Sequence, residues 1–188
     1  MYTRDFLTRK TRISSTLAVA VNNPRNPFRI NVGFIVNEEV GYNHDFPFEY
    51  EQVQLGDDLV LRNFSGMVNI GRTPQGLIVQ GNFQGMTSLE CVRCLTDFDF
   101  PLRWQLTELY AFNKKSVTES GLFVPEDAQL DLQSILREYA LLEIPIKPIC
   151  KPDCKGLCPV CGENLNERDC GHRPQQDDSP FAVLKNLL

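Results

Sequence analysis

The chemistry available to this chain is concentrated in its sulfur. Two of the seven cysteines form Cys91-Val-Arg-Cys94, and the other five, Cys150, Cys154, Cys158, Cys161 and Cys170, fall close together with His172 just after the last. These are eight soft donors, and a structural zinc ion takes four, tetrahedrally, as thiolate or imidazole. Eight donors make two full sites, and one bound ion with spare thiols is the minimum. Disulfides are the competing use, but they belong to secreted chains. The start of this sequence is polar, with Arg4, Asp5, Arg9 and Lys10 where a leader would be apolar. The odd number of cysteines also disfavours a closed disulfide framework. The expectation is a cytoplasmic zinc protein.

Catalytic uses of the same residues fit less well. A Cys-x-x-Cys redox pair opens a helix, whose N-terminus lowers the thiol pKa. Here the pair joins two alternating segments. From Leu77 the odd positions run Leu77, Val79, Gly81, Phe83, Gly85, Thr87, Leu89, Cys91; from Phe98 the even positions run Phe98, Phe100, Leu102, Trp104, Leu106, Glu108, Tyr110, Phe112. Both have the period of a half-buried strand, so Cys91 to Cys94 belongs at the tip of a β-hairpin. A catalytic zinc keeps an open position and draws on His or carboxylate. Only His44 and His172 are present, and His44, in Tyr42-Asn-His-Asp45, reads as a loop histidine. No phosphate-binding glycine loop or nucleophile elbow occurs. The expectation is no enzyme, no catalytic residue and no small-molecule substrate; a zinc hydrolase is the weakest alternative.

Other elements must hold the donors in place. Weaker strand patterns cover Phe28 to Val36, Phe46 to Val53 and Leu59 to Ile70, with a hairpin loop at Gly71 to Gly76. A polar linker from Asn113 to Gln129 leads to Asp131, which can cap a helix at about 131–143. Leu132, Ile135, Leu136, Tyr139 and Leu142 share one face of it and would pack on the sheet. Pro145 and Pro148 then impose an extended approach to Cys150. The fold class is α+β: an antiparallel β-sheet or partly open barrel with one packed helix and a cysteine-rich zinc-binding C-terminal segment. Residues 1–145 would be the sheet domain with a basic N-terminal arm, and 146–188 the zinc-binding tail. The tail would end in a short amphipathic helix carrying Phe181, Val183, Leu184, Leu187 and Leu188.

Spacing leaves the sharing of donors open. In one arrangement Cys91, Cys94, Cys150 and Cys154 tie the hairpin tip to the helix exit, and Cys158, Cys161, Cys170 and His172 form a local second site. In another, Cys91, Cys94, Cys158 and Cys161 face each other as two knuckles. In a third, one ion leaves thiols spare. Cys158-Pro-Val-Cys161-Gly is a knuckle in which glycine permits the left-handed conformation and backbone N–H groups face the sulfur.

Charge is uneven. The net charge is −5, yet residues 1–30 hold Arg4, Arg9, Lys10, Arg12, Arg25 and Arg29 against Asp5 alone. Residues 31–61 hold Glu38, Glu39, Asp45, Glu49, Glu51, Asp57 and Asp58 with no Lys or Arg. With two thiolate-held ions the total falls to about −8, which opposes a general phosphate field. RNA, if a partner, would meet the basic arm. A basic protein would meet the acidic stretch. No run is long and apolar enough to span a membrane.

Several motifs together resemble a known family. They are Cys-x-Arg-Cys at 91–94, the helix from Asp131-Leu132 to Leu142, Ile-Pro-x-Lys-Pro-x-Cys at 144–150, and Cys154-Lys-Gly-Leu-Cys-Pro-Val-Cys-Gly162 followed by Asn164-Leu-Asn166. With the ending from Ser179 to Leu188, they are similar to the bacterial YceD-type proteins from about Gly76 onward. The resemblance implies a role in accumulation of large-subunit ribosomal RNA, with pre-ribosomal large-subunit components as partners and a basic ribosomal protein as a candidate among them. Relatives often end the metal motif Cys-x-Cys, where this chain has Cys170-Gly-His172, a substitution that keeps a donor. A redox-sensitive zinc-thiolate chaperone is the alternative function.

Overall fold

A computed structural model describes residues 26–172 of the chain. The long alternating segments form one antiparallel meander: β2 (Asn43–Gln54), β3 (Val60–Arg72), β4 (Gly76–Glu90) and β5 (Asp97–Ala111), in the order β2-β3-β4-β5. The sheet is open, with β2 and β5 at its edges. The pairing register places Phe48, Gly66, Phe83 and Trp104 in one row across the four strands. That inner face carries Val68, Ile70, Leu77, Val79, Leu102 and Leu106, all buried. Each large apolar side chain removed from water contributes about 1.5–3 kcal/mol. The outer face carries Asn69, Gln80, Asn82, Gln84 and Gln105.

Aromatic rings fill the centre. Phe83 lies between Phe64 and Trp104, with ring centroids 5.9 and 5.5 Å away. Glycine makes the space: a Cβ on Gly66 or Gly81 would overlap the Phe83 ring. Helix α2 (Gln133–Leu142) closes part of this face with Leu136 and Ala140, preceded by Leu132. Its Tyr139 hydroxyl donates to Glu108 at 2.7 Å. Arg137 makes a forked pair with Asp58, at 2.8 and 2.5 Å. Asp131 accepts the Gln133 N–H at 2.9 Å and so holds the helix start from two residues away.

Three local expectations are corrected. Phe28 to Val36 is a three-residue strand, β1 (Arg29–Asn31), followed by a helical turn, α1 (Gly33–Val36). The alternation Phe28, Ile30, Val32 changes there to the helical spacing Val32, Ile35, and Asn31 starts the turn by accepting the Gly33 N–H at 2.9 Å. The linker before α2 contains a strand, β6 (Gln129–Asp131), paired antiparallel to β1 through Ile30 and Leu130. Three residues are too few to show a period, so only the tertiary partner makes this strand. Leu142, placed by periodicity on the buried face, is 80% exposed because the helix ends there. The basic arm before Asn26 and the C-terminal segment from Pro180 lie outside the described residues. Among the described residues, no helix is long and apolar enough to cross a membrane.

Candidate metal centre

The β4–β5 turn is a knuckle. Cys91 N–H donates to Thr96 O at 3.0 Å, and Leu95 N–H donates back to Cys91 O at 2.9 Å. Residues 158–163 repeat the pattern, with Cys158 N–H to Glu163 O at 2.8 Å and Gly162 N–H to Cys158 O at 2.9 Å. The residue after the second cysteine is left-handed in both, with φ 55° at Leu95 and 76° at Gly162. In each knuckle, backbone N–H groups of the turn face the first sulfur.

The chain leaving α2 returns to the first knuckle, where Val92 N–H donates to Pro148 O at 3.0 Å. This brings Cys150 and Cys154 onto Cys91 and Cys94. Cys91 Sγ lies 3.8 Å from Cys154 Sγ, and Cys94 Sγ lies 3.7 Å from Cys150 Sγ. All four sulfurs are within 4.8 Å of one another. A disulfide needs about 2.05 Å. A tetrahedron with metal–sulfur bonds of about 2.3 Å has edges of about 3.8 Å. The two short sulfur–sulfur distances match such an edge, and the group could hold a metal ion. Phe98, Ile149 and Leu157 pack around these cysteines as a small apolar cluster apart from the main core.

Cys158, Cys161, Cys170 and His172 form the second group, also with every donor atom within 4.8 Å of the others. The structure therefore does not bring the two Cys-x-x-Cys knuckles onto one centre; each lies in its own four-donor group. The groups differ in exposure. Cys91, Cys94 and Cys154 are buried, whereas Cys161 and His172 are exposed and only Cys158 is buried in the second. His44, expected in a loop, instead lies in β2, paired opposite Ile70; it is outside both groups and sits edge-on between Phe34 and Phe46, at 5.2 and 4.9 Å.

Electrostatics within the first group is uneven. Burial would raise the Cys91 thiol, but the backbone N–H groups of Cys150, Cys94 and Arg93 outweigh it and bring it down to about 6. Cys94 is lowered by the Thr96 hydroxyl and N–H. Burial and the neighbouring thiols push Cys150 up to about 12. In the second group the N–H groups of Cys161 and Val160 lower Cys158 to about 6. The His172 N–H favours the Cys170 thiolate, yet the Cys158 sulfur and burial together leave Cys170 raised. Crowded sulfurs share a limited negative charge, which a bound cation would balance.

Sequence reading gave no role to the groups behind the ligands. Asn166 Nδ2 donates to Cys154 Sγ at 3.3 Å, while its Oδ1 accepts the Lys155 N–H at 2.9 Å. Arg93 Nη1 donates to Cys154 O at 3.0 Å. Metal spacing rules describe donors, not the hydrogen bonds that aim them.

The chain is similar to several known proteins. The model of the family described as large ribosomal RNA subunit accumulation protein YceD matches residues 79–188. An uncharacterized protein of Mycobacterium tuberculosis is 36% identical over 120 residues, 61% of this chain and 56% of its own length. YlbN of Bacillus subtilis is 30% identical over 109 residues, 55% of this chain and 62% of its own. A chloroplastic large ribosomal RNA subunit accumulation protein YCED homolog 1 of Arabidopsis thaliana is 40% identical over 65 residues, 35% of this chain and 20% of its own. The chain spans just over half the length of the mycobacterial relatives it matches. No solved structure matches it.

Proposed function

The chain belongs to the family of large ribosomal RNA subunit accumulation proteins, YceD, and from that membership we propose that it acts in large ribosomal subunit assembly as a non-catalytic, zinc-binding cytoplasmic factor. The observation that carries the metal is the tetrahedral spacing of four sulfurs supplied by a hairpin tip and a helix exit. Seven thiolates and one imidazole are soft donors that suit zinc. Cys91, Cys94, Cys150 and Cys154 would hold one ion, and Cys158, Cys161, Cys170 and His172 a second. Each ion would fix chain geometry. Four protein ligands leave no position for substrate or water, which supports a structural role over a hydrolytic one. Residues 146–188 are then a metal-held tail on a sheet domain ending near 145. The partners are pre-ribosomal large-subunit components.

The test is depletion of the protein in a bacterium that makes it. The ratio of large- to small-subunit ribosomal RNA should fall, and return with the wild-type chain but not with Cys91→Ser. An unchanged ratio refutes the assembly reading. Native mass spectrometry of reduced protein should give two zinc ions per chain. The exposure of Cys161 supports a second reading, a redox-sensitive chaperone that releases metal on oxidation. New binding of unfolded clients after mild peroxide would favour it.

A further inference from the structure

We propose that the two metal groups are coupled in order: the inner group, Cys91, Cys94, Cys150 and Cys154, is the template on which the outer group assembles, and Asn166 is the positioning residue that joins them. The inference rests on the metal reading above and adds a hierarchy to it.

Only Lys155, Gly156 and Leu157 separate Cys154, the last inner donor, from Cys158, the first outer one. Each of the three is held. The Lys155 N–H is accepted by Asn166 Oδ1 at 2.9 Å. Gly156 has φ 76°, and a Cβ there would lie 3.0 Å from Arg93 O. Leu157 donates its N–H to that same Arg93 oxygen at 3.0 Å and packs among the inner cysteines. Further along, Leu165 N–H donates to Gly156 O at 2.9 Å, and Asn164 Nδ2 to Thr96 Oγ1 at 3.4 Å. The base of the outer loop is therefore built on the Cys91–Thr96 knuckle, and that knuckle is held to residues 150–154 by the inner group.

Asn166 touches both ends of this connection. Its carboxamide orientation is fixed, because Oδ1 takes a backbone N–H while Nδ2 donates to Asn164 Oδ1 at 2.9 Å and to Cys154 Sγ at 3.3 Å. One side chain thus hydrogen-bonds an inner sulfur and also the backbone leading to Cys158. The coupling itself is reciprocal, so the order comes from the affinities of the two groups. The inner group joins segments more than sixty residues apart, from Cys91 to Cys154, and is enclosed by apolar side chains. The outer group lies within one short loop whose Cys161 and His172 face solvent. Hydrogen bonds to a liganding group are typically worth about 10- to 100-fold in metal affinity.

The test uses the full chain and cobalt(II), whose sulfur-to-metal charge-transfer absorption distinguishes a four-thiolate site from one with three thiolates and an imidazole. Zinc competition against a chromogenic chelator gives the affinities. Wild type should load the four-thiolate site first and lose the outer ion first. Cys161→Ser should keep the inner ion bound, weakened by no more than the coupling factor between the two groups. Cys91→Ser should lose the inner ion and weaken the outer by about tenfold or more. Cys91→Ser removes a buried side chain that also serves the fold, so Asn166→Ala and Asn166→Asp, which keep all eight donors, are tested beside it. Asn166→Ala should weaken both ions. Asn166→Asp can still accept the Lys155 N–H but cannot donate to sulfur, so it should shift the inner spectrum more than the outer. An outer affinity unchanged in Cys91→Ser, or both affinities unchanged in Asn166→Ala, overturns the hierarchy. Wild type that takes up no metal refutes the metal reading itself, a separate outcome.

Discussion

Leu95 and Gly162 occupy equivalent places in the two knuckles, both left-handed, and only one is glycine. The left-handed region costs a residue with a Cβ about 1–2 kcal/mol. Gly162→Ala should therefore destabilise the outer knuckle by about 1 kcal/mol, seen as a lower midpoint for metal release in denaturant. Leu95→Gly should be close to neutral, because relief of strain is offset by the about 0.5–1 kcal/mol that glycine loses on folding. If Gly162→Ala is harmless, the φ of 76° is not required there. The eight candidate donors stood out by type and spacing, and the fold gathers them in two groups of four; the glycine of the second knuckle announced its turn. The first knuckle carried no such mark, because leucine gives no sign of a positive φ. Asn166 stood out only as part of a family motif, without a role: a carboxamide reveals its partners only once the chain is folded.

At the scale of elements, β4 and β5 were legible because alternation continued over many residues, while β3 gave a weaker pattern, interrupted by the register shift between Arg62 and Ser65. The glycines of the inner face, Gly66 and Gly81, look like interruptions in sequence but are the floor beneath Phe83. Gly66→Ala should displace that ring from Phe64 and Trp104 and cost about 1–3 kcal/mol, as overpacking does. Urea unfolding followed by Trp104 fluorescence measures it, and an unchanged midpoint with unchanged emission would show that the ring has room. The β1–β6 pair and the helical turn after β1 were hidden, since segments of three or four residues owe their form to what they pack against. At the end of β5, burial, with the charges of Glu108, Asp131 and Glu138, raises the Tyr110 phenol to about 12. The folded state prefers the neutral phenol. Its contribution is complete below about pH 10, the unfolded value, and is lost as pH rises towards 12. Tyr110→Phe should remove about 2 kcal/mol of alkaline destabilisation, a value reduced for partial solvent access. Stability curves of both proteins between pH 9 and 12 test this, and parallel curves would rule it out.

For the whole molecule, the acids between residues 38 and 58 are the feature best suited to a basic partner. The structure sorts them. Asp58 is paired with Arg137, whose hydrogen bonds hold its carboxyl below the usual range, so its charge is already answered within the fold. Asp45, Glu49 and Glu51 stand exposed along β2, an edge strand, and Asp45 accepts only a neutral amide, Asn69 Nδ2, at 2.7 Å. Alternate residues on a strand are about 7 Å apart. For Glu49 and Glu51 that is within the screening length of about 8 Å at physiological salt, so these two charges act together on an approaching partner, whereas Asp45 lies about 13 Å along the strand from Glu49. Such an encounter is steered by charge and weakens with salt. Reversing Glu49 and Glu51 to lysine should lower capture of large-subunit components severalfold at low salt. The reversed protein should also show a shallower dependence on salt than wild type. Exposed strand positions tolerate lysine, so thermal stability should change by less than about 0.5 kcal/mol, which separates loss of binding from loss of fold. Equal capture by both proteins at every salt concentration would remove β2 from the interaction and direct the search to the basic residues before Asn26.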